Sequence, residues 1–149
     1  MKYFVYYSNS GNGDLVADVL KGYGYNIVKI ETVKPLKKMN FFRILKYGGQ
    51  AMMKKKTPIK PLDLNLKEDD VVVVGSPIWN DRLSTPINSF LDQYSLNKKT
   101  TRFVLYPAGQ TTNKSRELLK KAGYELEAIV TPYPKKNKEA TIKLLEVLK

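Results

Sequence analysis

The stretch Tyr3-Phe4-Val5-Tyr6-Tyr7-Ser8-Asn9-Ser10-Gly11-Asn12-Gly13-Asp14-Leu15-Val16 changes character twice. Tyr3 to Tyr7 is a short apolar, aromatic and β-branched run, the profile of a strand buried on both faces. Ser8 to Gly13 is turn chemistry throughout. From Asp14 the period becomes helical: Leu15, Val16, Val19, Leu20 and Tyr23 share one face, and Gly22 and Gly24 stop it. A buried strand running through a glycine loop into a helix is the opening of an α/β unit.

The alternation continues along the chain. Tyr25 to Ile30 reads as a second strand. Val71-Val72-Val73-Val74, closed by Gly75, is the plainest strand of all. Phe103 to Tyr106 and Leu126 to Thr131 supply two more. Between them, Thr85-Pro86 offers an N-cap and a first-turn proline to a helix carrying Ile87, Phe90, Leu91 and Tyr94. A helix from about Asn113 to Ala122 stops at Gly123. The last helix follows an Asn137 cap and carries Ile142, Leu144, Leu145 and Leu148. Phe41, Phe42, Ile44 and Leu45 suggest a further helix, with Ala51, Met52 and Met53 continuing it; Pro58 and Pro61 bracket an extended linker. The order β-α-β-α-β-α-β-α-β-α specifies an α/β fold, an open parallel five-stranded sheet with helices on both faces in three layers. At 149 residues the chain fits one domain, spanning 1–149.

Composition narrows the chemistry. With no Cys and no His, disulfides, thiol nucleophiles, thiolate or imidazole metal sites and Ser–His hydrolysis are excluded. What remains is a binding protein or an enzyme that borrows a cofactor. No apolar run approaches the roughly 20 residues of a bilayer span, and the start is too short in apolar residues for a signal peptide. A cytoplasmic protein is expected. The net charge of +12 points to an acidic partner or surface.

In an open parallel sheet, ligands bind beyond the carboxyl ends of the strands, where the strand order reverses. Three loops lie there: Ser8–Gly13, Ser76–Ser84 and Pro107–Thr112. The first combines hydroxyls, amides and glycines before a helix N-terminus, an anion site made of backbone N–H groups and the helix dipole. It lacks the lysine of a nucleotide-triphosphate loop and the Gly-x-Gly-x-x-Gly spacing of a dinucleotide site. A simple polar turn is the plainer reading. In the second loop, Ser76-Pro77-Ile78-Trp79-Asn80 places the only Trp in a polar, exposed setting suited to a flat aromatic ring, with a core Trp as the alternative.

These residues resemble the flavodoxin family. Tyr7-Ser8-Asn9-Ser10-Gly11-Asn12-Gly13 looks like its flavin-phosphate loop. Gly75-Ser76-Pro77-Ile78-Trp79, followed by Thr85-Pro86-Ile87 and Phe90-Leu91, resembles the Gly-Ser-Pro-hydrophobic-Trp stretch of short bacterial flavodoxin-like proteins. The resemblance implies strand order 2-1-3-4-5 and one bound FMN. It implies that Ser8, Asn9, Ser10, Gly11, Asn12 and Gly13 hold the phosphate, that Pro77, Ile78, Trp79 and Asn80 line the ring, and that Ala108 and Gly109 approach it from the third loop. Gly13 stands where the family's loop ends in Thr, which removes one hydroxyl donor. Arg82 is the cation expected nearest the ring.

Nine Lys/Arg and no acid fall between Lys34 and Pro61. This is either a solvated face or a docking surface for an acidic redox partner; familiar electron-carrier flavodoxins are mostly acidic. Three classes of function stay open. One is an FMN flavoprotein in electron transfer or small-oxidoreductase chemistry. Another is a flavin-free flavodoxin-like binding or regulatory protein. The last is a nucleic-acid or membrane-surface module, for which neither a binding motif nor an aromatic stacking platform is present.

Overall fold

The computed structural model describes residues 1–35 and 56–149. Along the described chain run β1 (Lys2–Tyr6), α1 (Asn12–Gly22), β2 (Asn26–Lys29), β3 (Val71–Pro77), α2 (Thr85–Gln93), β4 (Arg102–Tyr106), α3 (Asn113–Lys121), β5 (Ile129–Val130) and α4 (Lys138–Leu145), ending in a short 3-10 turn. Every strand pairing is parallel and the order is β2-β1-β3-β4-β5. This is the order that the flavodoxin resemblance implies. The expected helix around Phe41, Phe42, Ile44, Leu45 and Met52 lies outside the described residues, as do Lys37, Lys38, Arg43, Lys46, Lys54 and Lys55 of the basic segment.

Period-two alternation divides the sheet into two cores. Phe4, Tyr6, Val73, Val104 and Tyr106 face α1 and α4, meeting Val16, Ala17, Leu20 and Leu145. Val5, Tyr7, Val72, Val74, Phe103 and Leu105 face the opposite way, toward Ile87 and Phe90 of α2 and Leu119 of α3. Both faces are covered, so the central strands read as unbroken apolar runs. Among the described residues no helix is long and apolar enough to cross a membrane.

Several boundaries differ from the sequence reading. Gly75 does not close β3, which continues to Pro77. A Cβ at Gly75 would stand 2.5 Å from Phe4 Cζ and 2.9 Å from Tyr6 Cβ. The glycine makes room for two aromatic side chains of the neighbouring strand inside a continuous ladder. β5 shrinks to two residues, Ile129 and Val130, paired with Val104 and Leu105 at the edge of the sheet. The N-cap of α2 is Ser84 rather than Thr85, and Pro86 sits within the first turn. Asn137 bounds α4 but makes no side-chain cap bond; its amide donates instead to the Pro132 carbonyl at 3.1 Å. On α4 the buried positions are Thr141 and Leu145, while Leu144 is exposed.

Candidate functional site

The strand order reverses between β1 and β3, and the carboxyl ends of these strands and of β4 carry the three expected loops. β1 delivers the chain into the Ser8–Gly13 turn, and Gly11 adopts φ +87° as the N-cap of α1. Only a residue without a Cβ enters that left-handed conformation at little cost. Ser8 Oγ accepts from the Gly11 and Gly13 amides, both at 3.1 Å. Two backbone donors at a helix N-terminus therefore converge on one oxygen, the arrangement that suits an anion. Ser8 Oγ holds these donors in place as an acceptor, and its own O–H proton is left for a further partner. Asn9 Nδ2 is sequestered from solvent in the same loop without a hydrogen-bond partner. Asn12 Nδ2 donates to Ser10 Oγ at 3.3 Å.

Gly13 departs from the hydroxyl residue of the family loop for a steric reason. A Cβ there would lie 2.7 Å from the Tyr106 hydroxyl, 2.9 Å from Ser8 Cβ and 2.9 Å from Tyr6 Cδ2. The Tyr106 hydroxyl, fully buried, donates to the Tyr7 carbonyl and fills the space a side chain would need. In an open helix, Gly→Ala stabilises by about 0.5–1 kcal/mol. Here Gly13→Ala should instead destabilise the protein by about 2 kcal/mol through overpacking. The penalty should shrink in a Tyr106→Phe background, where the nearest obstacle is gone. Urea midpoints of the four proteins check this; penalties that add to within about 0.3 kcal/mol would separate Gly13 from Tyr106.

The acidic charge in the first turn of α1 is answered from β1 and β2. Burial pushes the Asp14 carboxyl up, but hydrogen bonds from Lys29 and Tyr6 outweigh it and hold the group below the usual carboxylate range. Lys29 Nζ and the Tyr6 hydroxyl each approach Asp14 Oδ1 to 2.7 Å. Burial first, then the bond to Asp14, pushes the Tyr6 hydroxyl well up.

The second loop is a miniature hairpin. Trp79 and Arg82 exchange backbone hydrogen bonds of 3.0 and 3.1 Å, Ile78 bridges Leu83, and Asn80 and Asp81 take φ of 51° and 54°. Two consecutive left-handed residues make a type I′ turn, for which Asn and Asp are suited. Ser76 Oγ closes the base, accepting from the Ser84 amide at 3.0 Å. Asp81 crosses to α3, where its carboxylate accepts from the Lys114 and Ser115 amides at 3.1 Å each. It thus caps a helix that begins 32 residues further on and fixes the hairpin against it.

Folding back in this way buries Pro77, Ile78 and Trp79, and only Asn80 of the four expected ring-lining residues is exposed. Trp79 is 4% exposed and meets Tyr7 edge-on, with ring centroids 6.0 Å apart. The expectation of an exposed Trp79 is corrected: it belongs to the core on the α2–α3 face. Arg82 donates to the Asp81 carbonyl at 3.0 Å and lines a cleft of about 280 Å³ with Lys56, Leu91, Asp92, Ser115 and Leu118. Ala108 and Gly109 are exposed beyond β4, and Gly109 has φ +75°.

A fourth loop, which the sequence reading passed over, joins them. After β5, residues 132–137 run back along the edge. Tyr133 N–H donates to the Pro107 carbonyl at 3.2 Å, and its hydroxyl would lie 2.8 Å from a Cβ at Gly109. Lys135 N–H donates to Asn12 Oδ1, and Lys135 Nζ to the Ser10 carbonyl, both at 3.1 Å. The available signal was the rule already applied to the other loops: Pro132 to Asn137 also follows the carboxyl end of a strand. Of the basic segment, Lys56 pairs with Asp92 at 2.9 Å and Lys60 with Glu31 at 3.1 Å, so two of its described cations are answered within the chain.

No protein-family model matches the chain, and no curated protein matches it in sequence. Solved structures do share its fold. One, from Bacteroides eggerthii and provisionally described as a flavoprotein, aligns at TM-score 0.72 with 23% identity over 98% of this chain and 96% of its own. A Lactobacillus acidophilus flavoprotein in complex with FMN aligns at 0.65 with 19% identity, covering 93% of this chain and 96% of its own. A second provisional flavoprotein, from Bacteroides uniformis, aligns at 0.61 with 15% identity over 97% of both chains. Likeness at these identities establishes the fold, which is flavodoxin-like.

Proposed function

We propose that the chain is an FMN-binding flavoprotein that works in electron transfer or as a small flavin-dependent oxidoreductase in the cytoplasm. The observation that carries this reading is the convergence of the Gly11 and Gly13 amides on one oxygen position at the start of α1. The flavodoxin-like fold adds support, since a protein of that fold, although only 19% identical, was crystallised with FMN. The residues fit the phosphate end of such a ligand: paired main-chain donors, a buried amide donor on Asn9 and an adjacent ammonium on Lys135. Asn80, Ala108 and Gly109 are the exposed tips available to the ring. A bound flavin would supply the electron-transfer chemistry that a chain without His or Cys lacks. The protein's own contribution is position and charge, and its net +12 suits an acidic redox partner.

Protein purified from cells should be yellow, with the two visible bands of a flavin, and the extracted cofactor should be FMN rather than FAD. Titrating FMN into apoprotein should also quench the single Trp, because energy transfer from an indole to a flavin does not require the two rings to touch. The buried Trp79 favours a second reading, a flavodoxin-like binding protein without flavin. Colourless protein whose Trp79 emission is indifferent to FMN would establish that reading in place of the first.

A further inference from the structure

We propose that Lys135 is the charge partner of the ligand phosphate and gives the site its preference for a phosphorylated flavin over riboflavin. This rests on the FMN reading above and adds a residue that the loop pattern does not contain and that the packing of the fold brings to the site. β5 lies at the far edge of the sheet, with β3 and β4 between it and β1. Yet α4 packs beside α1 on one face, so the segment entering α4 arrives at the N-terminus of α1. Lys135 is anchored there twice, by its amide on Asn12 Oδ1 and its ammonium on the Ser10 carbonyl.

Gly11 is what admits it. A Cβ at Gly11 would meet Lys135 Nζ at 3.3 Å, Cδ at 3.4 Å and Cε at 3.7 Å. The missing side chain therefore seats the lysine stem as well as permitting the left-handed turn. An ammonium has three donors, and the Ser10 carbonyl takes one. Lys135 takes part in none of the ion pairs among the described residues. Lys29, the other cation near the loop, is occupied by Asp14 at 2.7 Å. A phosphate monoester carries close to two negative charges at neutral pH, while the Asp14 carboxylate in the first turn is already answered by Lys29. Lys135 is the cation placed to answer the phosphate.

The test compares dissociation constants for FMN and for riboflavin in the wild type, Lys135→Gln and Lys135→Arg. In the wild type FMN should bind more tightly, and the margin should shrink between about 0.01 M and 1 M salt, as the screening length contracts from roughly 30 to 3 Å. Lys135→Gln should weaken FMN about tenfold at low salt, leave riboflavin unchanged and flatten the salt dependence. Lys135→Arg, which keeps the charge, should retain the preference. A wild type that binds FMN no better than riboflavin would overturn the phosphate-loop reading itself. A wild type with the preference, combined with a Gln variant that keeps it and its salt dependence, would overturn only the role of Lys135. Equal losses for both flavins, or loss in the Arg variant too, would assign the effect to the shape of the loop and likewise overturn it.

Discussion

Replacing Gly11 by valine together with Ser10 by alanine should lower the affinity for FMN by about 100-fold or more while riboflavin binding holds. A hydrogen bond to a charged group contributes roughly 1.5–3 kcal/mol, and two amides of this loop converge on one acceptor position. Gly11 has φ +87°, a conformation in which a β-branched residue is an outlier. Valine must therefore move the backbone that aims both donors, and its Cβ would also press on Lys135. Riboflavin lacks the phosphate and supplies the control. Paired titrations of the two ligands check the expectation; equal losses for both would show that the loop shapes the site without binding the phosphate.

Gly75→Ala should destabilise the fold by about 3 kcal/mol, toward the upper end of what overpacking costs. The added methyl would meet Phe4 Cζ at 2.5 Å and Cε2 at 2.8 Å. Phe4 is fully buried and stacks on Tyr6 with centroids 4.9 Å apart, so neither ring has a vacant volume to enter. The change sits in β3, paired on both sides by β1 and β4. At roughly 3 °C of melting temperature per kcal/mol for a chain of this size, the loss should appear as a fall of about 9 °C. A melting temperature within about 2 °C of the wild type would mean that the strands slide apart at little cost.

The architecture was legible in the sequence because burial on both faces leaves a simple trace. Phe4-Val5-Tyr6 and Val72-Val73-Val74 are apolar without interruption, and each residue proves to be buried on one face or the other. The turn after β1 was legible for a related reason: glycines and hydroxyls mark a strand–helix junction, and α1 does begin directly behind Gly11. Gly75 was misread as a terminator, since a glycine that makes room for a neighbouring strand's side chains looks in one dimension like a glycine that ends a strand.

Trp79 was misplaced because its polar neighbours suggested exposure. The deciding signal was Asn80-Asp81, a type I′ turn pair that folds the chain back and carries Trp79 onto Tyr7. Lys135 was invisible for a topological reason. It lies 125 residues from its partner Ser10, and only the packing of α4 beside α1 brings the two together. Gly13 carries a similar lesson. Its departure from the family loop reads as a lost donor until the Tyr106 hydroxyl is seen filling the space.

The most direct measurement is the backbone amide spectrum of 15N-labelled apoprotein titrated with FMN and, separately, with riboflavin. If a phosphate replaces the Ser8 hydroxyl as the acceptor, the Gly11 and Gly13 amide protons should move downfield with FMN and stay in place with riboflavin. Saturable FMN binding that leaves both glycine resonances unmoved, or shifts them equally with the two flavins, would contradict a phosphate site at the start of α1.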